Sequence, residues 1–207
     1  MSDDWTALKT DAARAMTDND FGQAVAFWQS ALMESEKFAK GDGRHVESLE
    51  GLARAHFARQ SWPEAESYFK KALMERETQQ GVDHQDVATV LNNLGCVYFK
   101  RGFYKDAMVH YERCLTIRRK VFSNEHLEVG RALYHLALAT HAQMRYDEAD
   151  GHYRKALDIS NKTLGNNHPD LINLLRNYAH LLRKTSRDSI ASQMETFARG
   201  IEAKQTA

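Results

Sequence analysis

The residues able to do chemistry in this chain of 207 are ten histidines, two cysteines and several acids near helix starts. A metal site needs its ligands to converge within ~2 Å of one ion. His84, His126 and His168 instead recur at equal 42-residue steps. They occupy equivalent loops of successive repeats, and a loop or helix-start role explains them without a metal. His135 and His141 have no cysteine or carboxylate at a recognisable metal spacing. Cys96 could act as a nucleophile only beside a histidine base, and the sequence identifies none. Cys114 falls where Ala72 and Ala156 fall, the place of a small buried residue. Glu64 and Glu148 sit at helix starts, where the helix dipole favours acids without any catalysis. The chain has no phosphate-cradling glycine loop, no nucleophile elbow and no zinc-protease histidine pair. The expectation is a protein that is not an enzyme, with no cofactor and no metal.

The elements that must position these side chains are repeats. Three segments beginning at His84, His126 and His168 align without a gap. Leu94, Leu136 and Tyr178 hold one register position, and Gly95, Ala137 and Ala179 the next. Later in each unit, Ala65, Ala107, Ala149 and Ala191 recur at 42-residue steps, and Ala24 precedes Ala65 by 41. Aromatics stand three residues before four of these alanines, at Phe21, Trp62, Tyr104 and Tyr146. Four residues after them stand Trp28, Phe69, Tyr111 and Tyr153. Steps of three and four residues between small and large apolar positions predict helices, and each unit reads as two antiparallel ones. Ser61-Trp62-Pro63-Glu64 fits a capping box with proline in the first turn. The last unit keeps its alanines but carries Asp188 and Glu195 at the aromatic places, as expected where an outer face meets water.

Composition limits what these helices can bind. Basic and acidic residues balance at 28 each, so no whole-chain attraction to nucleic acid or to an anionic membrane is expected. Residues 1–80 carry a net −4 and residues 81–207 a net +4, which favours the second half for an acidic partner. No apolar stretch reaches the ~18 residues of a membrane span. The start Met1-Ser2-Asp3-Asp4 has neither a basic nor an apolar run, so no signal peptide is expected and the cytoplasm is the expected compartment.

Leu94-Gly95-x-x-Tyr98, followed by Ala107, Tyr111 and Cys114, resembles the tetratricopeptide repeat pattern over roughly residues 3–203. The 42-residue period and the segment Leu164-Gly165-Asn166-Asn167-His168-Pro169-Asp170 resemble the kinesin-light-chain type. The resemblance implies an all-α fold, a right-handed α-solenoid of about five helical hairpins. It implies a single array over 1–207 with units near 3–40, 44–80, 85–122, 127–164 and 169–203. The first unit departs most, because Asp11 stands where Leu52 and Leu94 stand.

The resemblance also implies a function by class: a scaffold or adaptor holding a protein or peptide against the first helix of each pair. The alternative is a structural subunit that builds a homo-oligomer or a larger complex. Residues on the first helices that point away from the core are the binding candidates: Asn92, Asn93, Arg131, Tyr134, His135, Leu138, Asn173, Arg176, Asn177, His180 and Arg183. Similar repeats use an asparagine just before the Leu-Gly pair to clamp a peptide backbone, which implies that role for Asn93 and Asn177. One amide side chain both donates and accepts, matching a peptide unit. His135 and Gly51 occupy that place in the other units. Arg131, Arg176, Arg183 and Lys184 would make the C-terminal half of the groove basic and suggest an extended ligand with acidic residues or a free C-terminal carboxylate.

Overall fold

The structure is a computed structural model that describes residues 4–205. Met1, Ser2 and Asp3, part of the start read above, lie outside the described residues, as do 206 and 207. The described residues form ten helices and no strand. They fall into two compact units, meeting at Gly102 and Phe103.

The first unit holds α1 (Asp4–Thr17), α2 (Phe21–Ser35), α3 (Gly43–Ala58), α4 (Trp62–Gln80) and α5 (Gln85–Lys100). The second holds α6 (Tyr104–Val121), α7 (Leu127–Ala142), α8 (Tyr146–Leu164), α9 (Leu171–Lys184) and α10 (Asp188–Ala203). Within each unit the helices pack on their sequence neighbours. The departure of the first repeat does not unmake α1. Trp5 and Ala12 bury themselves in place of the missing leucine, and the Trp5 indole donates to Ser48 Oγ at 2.8 Å.

The recurring small residues set the helix spacing. Ala24, Ala65, Ala107, Ala149 and Ala191, and seven residues later Ala31, Ala72, Cys114, Ala156 and Ala198, all have no exposed surface. A side chain of one carbon, or a thiol of similar size, lets helices approach closely. Trp28, Phe69, Tyr111 and Tyr153 fill the space beside them and are themselves buried. The two sets explain why a sequence of mixed polarity closes an apolar interior.

Each turn inside a pair carries one residue in the left-handed region: Asn19, Gln60, Gly102, Met144 and Ser186. Four of these turns also close with a six-to-one bond, from Asp20 N to Ala15 O, Ser61 N to His56 O, Arg145 N to Thr140 O and Arg187 N to Leu182 O. That is a Schellman termination, which satisfies carbonyls the helix end leaves open. The capping box expected at Ser61 does not form, because Ser61 makes no side-chain bond to its helix. Asp20 has nearly the same backbone angles and does accept from Gln23 N. A carboxylate reaches where the shorter hydroxyl does not.

Candidate functional site

Two of the recurring histidines, His84 and His126, are helix N-caps, and His168 makes the same bond in the turn that leads into α9. Nδ1 of His84, His126 and His168 accepts the backbone N–H two residues on, each at 3.2 Å. This geometry uses the ring nitrogen locally and accounts for the 42-residue recurrence. No group of three or more potential metal-ligating side chains occurs among the described residues.

In the first unit, α5 presents Asn92 and Asn93, both half-buried, while Leu94 and Gly95 after them are buried. The Asn93 amide has no hydrogen bond to any described residue, so both its donor and its acceptor are open. On α3 the same register position is Gly51, and the structure gives the reason. A Cβ there would lie 2.2 Å from the Trp28 ring. The register position that the resemblance assigns to ligand clamping is therefore also a packing position.

His135 in the second unit shows the same double role. Its ring stacks on Tyr111 at 5.4 Å and tilts against Tyr134 at 5.7 Å. Burial, then the Arg118 guanidinium, push its pKa down to about 4. At neutral pH it is an uncharged ring in an aromatic sandwich.

Around it, α7, α8 and α9 enclose a pocket of about 290 Å³ lined by Arg131, Tyr134, His135, Ser160, Asp170 and Asn173, among others. Asn177 Nδ2 donates to Tyr134 Oη at 2.7 Å and to the Asn173 carbonyl at 2.8 Å. This ties the first helix of one hairpin to the first helix of the next. It spends the amide donors of Asn177 and leaves Oδ1 available to accept. Arg131 spans the pocket's other side, with Nη1 at 2.8 Å from Glu128 and Nη2 at 3.2 Å from Asp170. Leu138, half-buried, is not among the pocket's lining residues.

The remaining candidates lie on α9 and make a different pattern. Arg176 pairs with Glu202 at 2.7 Å, and Arg183 grips Glu195 through two bonds of 3.0 and 2.8 Å. One repeat earlier, 42 residues back, these positions are Tyr134 for Arg176, His141 for Arg183, Tyr153 for Glu195 and Ser160 for Glu202. There Tyr153 meets Tyr134, His141 and Tyr178 as a ring cluster. The last hairpin thus exchanges an aromatic cluster for ion pairs. Both pairs are partly exposed, so the charged groups keep much of their hydration. Of the residues expected to make the groove basic, Arg131, Arg176 and Arg183 are paired with Glu128, Asp170, Glu202 and Glu195, while Lys184 has no acidic partner among the described residues. His180 stays exposed, its ring 5.1 Å from that of His141.

One cluster has no counterpart in the sequence reading. Asp150 is buried and accepts from Tyr178 Oη at 3.0 Å, from Arg187 at 2.8 Å and from Arg154. Burial alone would raise its pKa, but the hydrogen bonds from Arg154, Tyr178 and Arg187 outweigh it and hold the carboxyl below its usual value. Burial, then the hydrogen bond to Asp150 and that carboxylate's charge, push Tyr178 up to about 12. An acid directly after a repeat alanine, at Ala149-Asp150, was the available signal. Arg154 follows it by four residues on the same helix, a legible spacing, but Tyr178 and Arg187 come from α9 and the turn before α10 and have no fixed spacing to it.

These features define a helical-hairpin repeat scaffold whose first helices carry polar side chains over a small-residue core. The tetratricopeptide repeat family matches residues 44–120 and 128–196, over half of the chain, and the chain belongs to that family. Solved structures agree in fold. A kinesin light chain-like protein of Podosopora anserina, with nearly identical TPR-like repeats, is 20% identical, with a TM-score of 0.78 over 99% of this chain and 99% of that one. BtubC (BKLC) from P. vanneervenii is 18% identical, with a TM-score of 0.84 over 97% of this chain and 80% of that one. Aspartyl phosphate phosphatase F from Bacillus subtilis is 12% identical, with a TM-score of 0.80 over 94% and 49%. No curated protein matches the chain.

Tetratricopeptide folds typically serve as protein-interaction scaffolds. No helix among the described residues is long and apolar enough to cross a membrane.

Proposed function

We propose that this protein holds an extended segment of a partner protein against the first helices of its hairpins. The anchor is the pocket between α7 and α9, with the open Asn93 amide as a separate contact in the first unit. The observation that carries the reading is the Asn177–Tyr134 bond beside that pocket. It fixes neutral donors and acceptors on two successive hairpins, so a bound backbone would meet groups already in place and the protein's ordering cost stays low.

Neutral groups carry the main recognition. Arg131, Arg176 and Arg183 are already paired, so an acidic ligand gains from them only by exchange with Asp170, Glu202 or Glu195. A pull-down with the full chain, run beside Asn93→Ala and Asn177→Ala, tests the proposal. Each lost hydrogen bond should contribute ~1 kcal/mol, so each change should weaken retention roughly fivefold. Equal retention by all three forms would contradict it.

A second reading, self-association, rests on α10. Phe197 and Ile190 lie seven residues apart on that helix, 48% and 44% exposed. Light scattering that reports a stable oligomer, with partner retention unchanged by the asparagine variants, would favour it.

A further inference from the structure

The pocket enclosed by α7, α8 and α9 lies where the repeat drops one side chain. Helices α4, α6 and α8 start at one register position, with Trp62, Tyr104 and Tyr146. The fifteenth residue of each is Arg76, Arg118 and Ser160. Ten residues further on stand Asp86, Glu128 and Asp170, each two after a recurring histidine. At the α4–α5 and α6–α7 junctions the arginine reaches that acid. Arg76 Nη1 lies 3.4 Å from Asp86, and Arg118 Nη2 lies 2.7 Å from Glu128. Arg118 is buried and also donates to the Glu128 carbonyl at 3.0 Å. At the α2–α3 junction neither member is kept: α2 stops after 15 residues against 19 in α4 and α8, and Ser35 and Arg44 hold the two places. The α8–α9 junction alone keeps the acid and lacks the arginine.

The missing guanidinium leaves acceptors without donors. Ser160 is 7% exposed, and its hydroxyl makes no hydrogen bond to any described residue. It faces α7 across the pocket, since a Cβ added to Gly130 would lie 3.6 Å from Ser160 Oγ. Glu128 shows how the acid is satisfied where the arginine is present: Oε2 takes Arg118 at 2.7 Å and Oε1 takes Arg131 at 2.8 Å. Asp170 takes Arg131 on Oδ2 at 3.2 Å, but no described residue donates to its Oδ1. His168 Nδ1 is 3.8 Å from that oxygen and already accepts the Asp170 N–H. Arg131 is 49% exposed and does not fill the pocket it lines. The space left, about 290 Å³, is at the small end for a ligand pocket and suits one side chain. The Tyr134 and His135 rings form a wall on which a planar guanidinium can stack.

We propose that this pocket takes an arginine side chain from the partner's extended segment. Its guanidinium donates to Asp170 Oδ1 as Arg118 donates to Glu128, and to Ser160 Oγ at the base. The inference rests on the reading that this pocket anchors a bound segment, and adds one ionic contact to the neutral ones named there. Lysine fits less well, because its ammonium is a point charge without the planar fork. An acidic side chain would meet Asp170 as a like charge.

The test uses the full chain and a short fluorescein-labelled peptide of glycine, serine and alanine with one central arginine. Anisotropy should show saturable binding, weakened about tenfold or more when citrulline, the uncharged isostere, replaces the arginine. Lysine there should bind more weakly than arginine, and glutamate not at all. Asp170 makes no side-chain cap bond, so Asp170→Asn should leave the fold intact and raise Kd about tenfold. Ser160→Arg should fill the pocket from α8, abolish binding and raise Tm by roughly 2–4 °C. The inference is overturned if the arginine peptide does not bind, or if the citrulline, lysine or glutamate peptide binds as well. It is equally overturned if either variant binds the arginine peptide as the native chain does, or if Ser160→Arg melts below the native chain. The underlying reading fails separately, through the pull-down. A partner lost on Asn177→Ala while the arginine peptide is ignored keeps that reading and removes this inference alone.

Discussion

At Asn177 two roles meet in one side chain, since the amide that could clamp a ligand already bridges to Tyr134. His135 is the neighbouring case, held between Tyr111 and Tyr134. Its folded pKa of about 4 lies below the unfolded value of 6.5, so the fold favours the neutral ring. The unfolded chain then binds more protons between those values, and stability falls as pH drops through that window. The contribution is complete above about pH 6.5, lost near pH 4 and worth on the order of 3 kcal/mol. Burial lowers His56 and His141 in the same direction, so a comparison is needed to isolate one ring. Urea unfolding at pH 7 and pH 5 should show a smaller loss for His135→Gln than for the native chain. Asp150 makes a second prediction. Removing a buried acid strands Arg187 and Tyr178, and Asp150→Ala should cost about 3 kcal/mol by the same measurement, with Asp150→Asn costing less.

At the scale of the element, most of the architecture was legible, because the helical hairpin is a local object. The recurring alanines and aromatics place both helices of each pair, and all ten small positions are fully buried. What the sequence hid was side-chain geometry between helices. The Ser61 cap failed on reach, and the pairing of Arg176 and Arg183 was hidden because Glu202 and Glu195 come from the opposite helix of the same hairpin. The loss of the last turn of α2 was also hidden, since Ser35-Glu36-Lys37-Phe38 contains no residue that forbids a helix. Glycine gives the sharpest element-scale test. Gly51→Ala drives a Cβ into the Trp28 ring and should destabilise by about 2 kcal/mol or more. Gly151, inside α8, has nothing within 4 Å of an added Cβ. Gly151→Ala should therefore stabilise by about 0.5–1 kcal/mol, and thermal melts of the two variants should move in opposite directions.

For the whole molecule, the repeat is a device for presenting varied polar residues on an unvarying interior. From Ala65 onward the small interior positions hold to the 42-residue register, while the first helices change at the position before the Leu-Gly pair: Gly51, Asn93, His135, Asn177. That variation is what a sequence-specific partner would read, and it is why the family alone leaves the partner unnamed. Site-directed photo-crosslinking measures this most directly. A benzophenone amino acid placed at the exposed His180, on the first helix of its pair, is compared with one at the exposed Val109 on α6. The account predicts that a partner protein crosslinks at His180 and not at Val109. Crosslinking at Val109 alone, or at neither position while the partner still co-purifies, would contradict it.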